Sequence, residues 1–548
     1  MSADRRRDTP ATGGIDAAAL PPEVYLIGCG GDPPIQGRPS QESMGFKAWN
    51  LLRMAELGLP VPAAFVIGTR YCSEEAARAR TTGDAPWHAA LRALERTTGR
   101  RLGDARRPLL LSVRSGAPVS MPGMMETLLN IGLCDATVPG LLRQTGNPRL
   151  VWDAYRRLVG SYGEIVAGLP ARVFDEAAEP LRDGRDERRL DFAELRALTQ
   201  TFLDVFAKGA GRPFPQDPSR QLAEAIDAVF ASWRAPKAAD YRRLNRIDDA
   251  IGTAVTVQTM VFGNAGGRSG AGVGFTRDPT SGEATPWIDF LFNAQGEDVV
   301  SGRRNAHGHD ELAAVLPAVW RELGDFADTL EHTFGDMQDF EFTVQAGRLF
   351  MLQTRAGKRS AYAAACIALD LLDEGVISAE AALARTAGLD RAELARRAIV
   401  AGGSDSPTPL GRAVSASSGV AIGEIALDAA RALARHAAGA PVILVRRDAD
   451  TGDIAALDSA LGMLTEHGAR TSHAAVVARQ LGKVCLVGCS ELQIDERART
   501  VKIGDVYLRE GEMITLDGNE GIVYAGTCRV EVSYPEDLLS RLHTLRSR

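Results

Sequence analysis

One histidine stands where a predicted helix begins, a position suited to group-transfer chemistry. The segment 462–482 predicts a strand, a glycine-containing loop, an N-cap at Thr471 or Ser472, and a helix that ends at Gly482. His473 then lies in the first helical turn, where free backbone N–H groups and the positive end of the helix dipole favour an anion. The same field disfavours the imidazolium, so a neutral ring nitrogen is left as a nucleophile for phosphoryl transfer. From the residues alone, a histidine that only caps or packs remains the alternative.

Two amphipathic segments, the first beginning at Asp339 and the second ending at Arg355, predict a β-hairpin with one polar face. Side chains alternate along a strand, and a single register pairs Glu341 with Gln353 and Asp339 with Arg355. A carboxylate, an amide oxygen and an arginine on one surface suit Mg²⁺ and a triphosphate. An ordinary amphipathic hairpin with a surface salt bridge is the alternative. The register leaves Ala346-Gly347-Arg348 as a three-residue turn, and it places on the apolar face Phe340, Phe342, Val344, Phe350 and Leu352.

A glycine-rich segment, Gly263–Gly274, is a second candidate for phosphate contacts. The N-terminal two-thirds of the chain has no Walker-type G-x-x-x-x-G-K-[ST] motif, so we do not expect a P-loop to hold the phosphates. Glycines let backbone N–H groups approach phosphates closely, and Arg268 and Ser269 add side-chain donors. A flexible hairpin tip is the alternative interpretation of this segment.

The stretch LTEHGARTSHAAVVARQLG, residues 464–482, resembles the phosphohistidine segment of the pyruvate phosphate dikinase family. The resemblance implies that His473 is the phosphoryl carrier. It also implies that Thr471 matches the threonine that is reversibly phosphorylated in the plant enzyme, and is a candidate regulatory phosphosite. The chain departs from the family segment at Glu466-His467, which replaces a Ser-Arg pair, at Ala469, which replaces a glycine, and at Arg470, which replaces a methionine.

Several blocks nearer the N-terminus are similar to the ATP-grasp region of the same family. This likeness implies that Glu341 and Gln353 bind Mg²⁺ and that Arg114 and Arg355 contact the phosphates of ATP. The blocks that carry it are SVRSG at 112–116, MPGMMET at 121–127, NAQGEDVV at 293–300, QDFEFT at 338–343 and LQTRAGKR at 352–359.

A further lysine belongs to this expected nucleotide-binding set. Lys47 corresponds to the nucleotide-site lysine of the family's GGKGxNL block, which reads GFKAWNL in this chain, so that Phe46 and Ala48 stand where the family has glycines. Ser269 and Asp339 complete the set of residues that we expect to bind the nucleotide.

These residues must be positioned by several domains, because 548 residues are more than one hydrophobic core supports. We expect an α/β and α+β multidomain fold, in which a swivelling domain carries the histidine. The predicted divisions are a loosely ordered N-terminus (1–40), an ATP-grasp-like nucleotide-binding region (41–357), a helical linker with a hinge at 402–407 (358–407), a compact α/β phosphohistidine domain (408–530) and a C-terminal tail (531–548).

The overall composition narrows the classes of partner and compartment. A net charge of -7 argues against a nucleic-acid partner, because binding to a phosphate backbone requires a basic face. The seven scattered cysteines are typical of reduced thiols in a cytosolic protein. No apolar run approaches bilayer length. We therefore expect a cytoplasmic protein with no membrane partner, and the sequence leaves a homo-oligomer open.

The family resemblance implies an ATP-dependent phosphotransferase. ATP and phosphate would be converted to AMP and pyrophosphate as His473 is phosphorylated, with Mg²⁺ as the cofactor. We expect the phosphoryl group to pass to pyruvate or another acceptor on a separate domain or chain, because no segment of this sequence matches the family's barrel for pyruvate or phosphoenolpyruvate. The alternatives are a related dikinase with a different small-molecule acceptor and a non-catalytic ATP-binding regulator.

Overall fold

The structure is mixed α/β and multidomain, as the sequence predicts. It is a computed structural model and describes residues 20–30, 38–73, 85–119, 121, 124–182, 185, 187–300, 309–400, 408–448, 453–468, 470 and 473–547. The chain divides into two units, Met1–Val261 and Phe262–Arg548. The predicted nucleotide-binding region, 41–357, therefore extends over both units.

Runs of apolar and β-branched residues form the sheet of the first unit, in which side chains on both faces are buried. The strand order is β1-β2-β5-β3-β4, and all pairings are antiparallel. The strands are β1 Val24–Ile27, β2 Ala64–Ile67, β3 Leu111–Gly116, β4 Thr127–Ile131 and β5 Ala254–Thr259. The expected loosely ordered N-terminus is therefore wrong at β1, because its four consecutive apolar residues are buried against β2.

Helices cover this sheet and build a separate aromatic cluster. Asn147 caps the helix Pro148–Ile165, and Pro148 begins it, as expected for a first helical position. Tyr162 on that helix packs at 6.2 Å from Phe206 of a neighbouring helix, measured between ring centres. The helices are α1 Gln41–Met44, α2 Phe46–Glu56, α3 Trp87–Thr98, α4 Val138–Thr145, α5 Pro148–Ile165, α6 Arg172–Arg182, α7 Phe192–Ala210, α8 Pro218–Ala231 and α9 Pro236–Leu244. Short 3₁₀ turns lie at Thr69–Cys72, Glu187–Arg189, Ser232–Arg234 and Asp249–Ile251.

The second unit begins with an antiparallel four-stranded sheet of order β7-β6-β8-β9. Gly270, Gly272 and Gly274 of β6 lie beneath aromatic and aliphatic side chains from both neighbouring strands; a methyl group on Gly272 would come within 2.4 Å of the Phe342 ring. Half of the predicted glycine-rich loop is thus a buried strand. The strands are β6 Gly270–Phe275, β7 Trp287–Phe292, β8 Gln338–Gln345 and β9 Arg348–Ala356, and the neighbouring helices are α10 Gly296–Val300, α11 His309–Val315 and α12 Pro317–Phe334.

The predicted helical linker contains two helices and a strand in its described part. Helices α13 Ala361–Asp373 and α14 Ala379–Thr386 are followed by strand β10 Arg396–Ile399. The predicted hinge, 402–407, lies outside the described residues. The predicted C-terminal tail contains strand β22 Val530–Ser533, which pairs with β10, and helix α18 Glu536–Arg546. Leu538, Leu542 and Leu545 of α18 are buried in one cluster with residues of α13 and α14.

Between β10 and β22 the chain forms an eight-stranded domain, residues 409–525. Its sheet has the order β11-β21-β20-β13-β14-β15-β16-β12, and β13 to β16 are parallel neighbours. Helices cross between those parallel strands, as βαβ units require. The strands of the sheet are β11 Pro409–Arg412, β12 Val414–Ser417, β13 Val420–Ala426, β14 Val442–Arg446, β15 Gly462–Thr465, β16 Val484–Val487, β20 Met513–Asp517 and β21 Ile522–Ala525. The helices are α15 Ala429–Ala437, α16 Ile454–Ser459 and α17 His473–Gln480, and a small sheet consists of β17 Leu492–Asp495, β18 Thr500–Ile503 and β19 Val506–Arg509.

Among the helices that the structure describes, none is both long enough and apolar enough to cross a bilayer.

Candidate functional site

One face of the four-stranded sheet carries a row of oxygen-bearing side chains. Glu341 on β8 pairs with Gln353 on β9, as the sequence predicts. On its other side Glu341 pairs with Val273 of β6, which in turn pairs with Asp289 of β7. Directly paired residues share a face, so Asp289, Glu341 and Gln353 lie on the same surface. Gln353 and Asp289 are 5% and 7% exposed, and Glu341 is half-buried.

The next row of the same face is an ion pair beside two aromatic rings. Asp339 pairs with Arg355 across β8 and β9, as predicted, and Nε of Arg355 donates to Oδ2 of Asp339 at 2.8 Å. Trp287 and Phe275 continue this row on β7 and β6. Burial raises the pKa of the Asp339 carboxyl above its ordinary value, although Arg355 acts in the opposite direction. Asp339 therefore holds the guanidinium of Arg355 in place within the sheet face.

The predicted turn of this hairpin is wrong, while the pairing of its site residues is right. Gln345 pairs with Arg348, so the turn has two residues, Ala346 and Gly347, both with positive φ. The register shifts by one residue between Glu341 and Phe342, which leaves Leu352 as the extra residue of a β-bulge. Beyond the bulge the alternation of β9 is inverted. The fully buried side chains there are Leu349 and Met351, and the residues predicted for the apolar face, Phe350 and Leu352, are half-buried.

Ser269 has a structural contact at the far end of this sheet. Its side chain is fully buried, and its Oγ accepts a hydrogen bond from the backbone N–H of Ala346 at 2.9 Å. The backbone carbonyl of Arg268 accepts from Gly347 at 2.8 Å. These contacts fasten the hairpin turn to the start of β6. The hydroxyl oxygen of Ser269 therefore supports the turn, and its contact with a nucleotide stays a prediction.

Lys47 and Arg114 lie in the first unit and close to each other. Arg114 lies on β3 two residues before Gly116, hence on the same face. Lys47 is the second residue of α2, and a methyl group on Gly116 would come within 3.9 Å of its Cβ. Gly45 has φ 77° and packs so tightly that a Cβ would meet the Gly116 carbonyl oxygen at 1.8 Å. This glycine of the block is therefore required to place Lys47 beside β3.

His473 begins helix α17, which follows β15 in the parallel part of the eight-stranded sheet. Helix N-termini at the carboxyl ends of parallel strands are sites where anions bind. The loop before the helix is tied back, because Oγ1 of Thr465 donates to the carbonyl of His467 at 2.6 Å. Thr471 lies outside the described residues, as does the side chain of His473. The backbone of His473 lies in the first turn of the helix, as the sequence predicts.

Two arginines that flank His473 in sequence contact the four-stranded sheet. The guanidinium carbon of Arg470 lies 4.4 Å from the centre of the Trp287 ring, and that of Arg479 lies 5.7 Å from the same ring. Arg479 also lies 5.5 Å from the Phe275 ring. Both rings lie on the face that carries Asp339 and Glu341. Helix α17 and its preceding loop therefore face the surface of the oxygen-bearing side chains.

Arg479 and Asp289 belong to this arrangement, and sequence reasoning missed both. Arg479 is 4% exposed, and its Nε and Nη2 donate to the carbonyl of Ala416 at 3.0 and 2.8 Å. Its Nη2 also donates to the carbonyl of Arg470 at 3.3 Å. One signal was available for each residue: a charged side chain within an apolar segment, AAVVAR for Arg479 and WIDFLF for Asp289. Only the fold tells which acidic residue such an arginine faces.

Comparisons with known proteins place these elements in two family models. Residues 85–320 match the pyruvate phosphate dikinase AMP/ATP-binding domain, and residues 439–521 match the mobile domain of PEP-utilising enzymes. The chain is 41% identical to pyruvate, phosphate dikinase 2 of Zea mays over 492 residues, which are 89% of this chain and 56% of that protein. It is 41% identical to pyruvate, phosphate dikinase of Clostridium symbiosum over 499 residues, or 90% and 57% of the two chains. It is also 41% identical to pyruvate, phosphate dikinase of Rhizobium meliloti over 535 residues, which cover 92% of this chain and 58% of that protein. The chain thus spans a little over half the length of these relatives.

Proposed function

Because the chain belongs to the pyruvate phosphate dikinase family, we propose that it is an ATP-dependent phosphotransferase in which His473 receives a phosphoryl group. The observation that carries this proposal is the contact of Arg470 and Arg479 with Trp287. It brings the start of helix α17 to the sheet face on which Glu341 and Gln353 lie. In this proposal the eight-stranded domain is the phosphohistidine domain, the remainder of the nucleotide-binding region is ATP-grasp-like, and residues 358–407 are the linker.

Glu341 and Gln353 fit a magnesium ion. Their direct pairing puts a carboxylate oxygen and an amide oxygen side by side, and Mg²⁺ prefers oxygen ligands. When bound, the metal would neutralise negative charge on the phosphates of ATP. We assign the contacts with the phosphates themselves to Arg355, Arg114 and Lys47, since guanidinium and ammonium groups pair with phosphate oxygens. Asp339 orients Arg355 through the 2.8 Å hydrogen bond.

The proposed reaction balances with one phosphoryl group retained on the protein. ATP and inorganic phosphate together contain four phosphorus atoms; AMP takes one, pyrophosphate takes two, and one stays on His473. Two P–O bonds of ATP break, one as a neutral imidazole nitrogen forms the new N–P bond and the other as inorganic phosphate forms the new P–O bond of pyrophosphate, while AMP leaves with the α-phosphorus. The N-terminal N–H groups of helix α17 stabilise the negative charge of the transferred group. Onward transfer would go to pyruvate or another small acceptor on a separate domain or subunit.

The test is labelled phosphoryl transfer to the purified chain. We expect an acid-labile, base-stable adduct when the protein is incubated with Mg²⁺, phosphate and ATP labelled in either its β or its γ position, and only one of these two labels should be retained, because the other leaves in pyrophosphate. Label in the α position should leave with AMP. His473→Ala should abolish the adduct. His467→Ala is the matched control, because that histidine lies in the same loop and contacts Asp448 at 3.2 Å. Equal labelling of wild type and His473→Ala would refute the assignment.

A further inference from the structure

The contact between the eight-stranded domain and the four-stranded sheet includes two arginines that lie against aromatic rings. On the sheet side, the ring of Trp287 at the start of β7 is half-buried, and its centre lies 4.4 Å from the guanidinium carbon of Arg470 and 5.7 Å from that of Arg479. The ring centres of Trp287 and Phe275 are 5.6 Å apart, so the two rings form one aromatic surface. A guanidinium over the face of a tryptophan is attracted by the ring quadrupole, and the attraction grows when water is excluded.

Acidic groups around the ring strengthen this contact. Burial lowers the pKa of the Arg470 guanidinium, and the carboxylates of Asp289 and Asp278 act in the opposite direction. The same two acids and Asp339 face Arg479, whose pKa is also lowered by burial. Both cations therefore lie, partly stripped of water, against an acidic surface of the sheet. Such an arrangement favours one docked position over many loosely associated ones.

Arg479 and Arg470 differ in the contacts that they make within the eight-stranded domain. Arg479 is bound within its own domain by the carbonyls of Ala416 and Arg470, so its loss would leave buried groups without a partner. Arg470 is half-buried, and its guanidinium lies over the ring of Trp287 in the neighbouring sheet. Arg470 can therefore be changed without dismantling the eight-stranded domain.

We propose that Arg470, stacked on Trp287, is a positioning residue that holds the eight-stranded domain where His473 is phosphorylated from ATP. This inference rests on the proposed function. The docked fraction of the molecule limits the rate of the ATP step, so a weaker contact slows that step in proportion. Nucleotide affinity should not change, because Arg470 is not part of the set assigned to ATP.

The first experiment compares single-turnover labelling of His473 from ATP with ATP affinity. We expect Arg470→Met to slow labelling about tenfold or more and to leave the ATP dissociation constant within about twofold of wild type. Arg470→Lys, which keeps the cation, should recover most of the rate. Trp287→Leu should also slow labelling, and the double variant should be little slower than either single one, because partners in one contact are not additive.

Arg447→Ala is the matched control for these variants. It removes one positive charge from the same domain, but Arg447 contacts Glu466 at 3.4 Å and the carbonyl of Ile494 at 3.3 Å, both within that domain. Its rate should equal that of wild type. Additive effects of the Arg470 and Trp287 variants, or equal slowing by Arg447→Ala, would overturn the positioning role.

A second experiment tests the contact without catalysis. In the Trp287→Cys/Arg470→Cys variant a short bis-maleimide should join the two new cysteines, because the contact of Arg479 with the Phe275 ring at 5.5 Å still brings the domain to the sheet; in Trp287→Cys/Arg447→Cys it should not. Failure of the first pair to cross-link would overturn the proposed contact. Cross-linking together with normal labelling by Arg470→Met would overturn its role in positioning. If the wild-type chain forms no phosphohistidine, the proposed function fails, and the cross-link still decides whether the contact exists.

Discussion

The residues assigned to chemistry are held by neighbours that have no chemical role of their own. Glu341 and Gln353 face each other because β8 and β9 pair in one register, and Arg355 is fixed by the buried carboxylate of Asp339. Ser269, which looks like a ligand in the sequence, secures the hairpin turn. Local hydrogen bonds therefore indicate which polar side chains near a predicted site support the protein's own structure and which can bind a ligand.

Glu341→Ala tests the proposed metal ligand. We expect the rate of AMP formation to fall by about a hundredfold or more, because one of the paired oxygen ligands is lost. Loss of a residue that only supports a metal ligand already costs about 10- to 100-fold, and loss of the ligand itself should cost more. Stability should change by less than about 1 kcal/mol, since the half-buried side chain is not in the apolar core. Glu380→Ala, at an exposed position of α14, is the control. Near-normal AMP formation by Glu341→Ala would contradict the metal assignment.

Two cysteines of the eight-stranded domain, Cys485 and Cys489, should be inert. Burial raises the pKa of Cys485 to about 12 and that of Cys489 to about 11. Because the thiolate is the reactive form, its fraction at neutral pH is very small and rises only as the pH approaches these values. We expect a maleimide at pH 7.5 to label neither residue in the native protein, while denaturant exposes both. Rapid labelling of Cys485 under native conditions, detected by peptide mass spectrometry, would contradict the described burial.

At the scale of elements, β6 is built to bring two strands of aromatic residues together. Its alternate glycines leave space above the strand, and the rings of Phe290 and Phe342 fill it, stacked with their centres 5.8 Å apart. On the opposite face the same strand presents Val273, which pairs with Asp289 and Glu341, and Phe275, which pairs with Trp287 and Asp339. The glycines thus leave room for the rings on the core face, while the other face carries the site residues.

Gly272→Ala tests this packing. The new methyl would lie 2.4 Å from the Phe342 ring and 2.9 Å from the Asp289 carbonyl oxygen, so we expect destabilisation of about 1–3 kcal/mol. Gly324→Ala in helix α12 is the control, because nothing lies within 4 Å of the added methyl, and it should stabilise the protein by about 0.5–1 kcal/mol. Thermal unfolding measures both. Partial recovery in Gly272→Ala/Phe342→Leu would attribute the loss to the ring, and an unchanged transition for Gly272→Ala would contradict the packing.

At the scale of the whole molecule, each of the two units has buried apolar residues of its own. Within the second unit, the eight-stranded domain has separate hydrophobic clusters. The division at Val261 and Phe262 separates Lys47 and Arg114 from the other predicted nucleotide residues. The eight-stranded domain is joined to the rest by β10 and β22, which pair with each other. Separate cores predict unfolding in more than one step, because cooperativity within a core is stronger than between cores.

We therefore expect at least two calorimetric transitions. Leu158→Ala and Leu464→Ala each remove a fully buried side chain, the first in the first unit and the second in the eight-stranded domain. Each should cost about 2–5 kcal/mol, and each should lower a different transition. A single transition that both variants shift equally would show that the molecule unfolds as one cooperative body.

The sequence by itself determined the elements whose signals are local. The helix start at His473 followed from an N-cap region and a terminal glycine, and the pairs Glu341–Gln353 and Asp339–Arg355 followed from alternation along two adjacent strands. Near neighbours in sequence settle these features, because periodicity and capping operate over a few residues.

Only the tertiary structure decided the features that depend on distant segments. The bulge at Leu352 shortened the turn, since a bulge is fixed by packing on the partner strand and leaves no mark in the alternation. Strand β1 was missed because its burial depends on β2, some forty residues later. The contact of Arg470 with Trp287 joins residues more than 180 positions apart. No local pattern encodes it, because its energy arises only when folding has brought the ring and the cation together and excluded water between them.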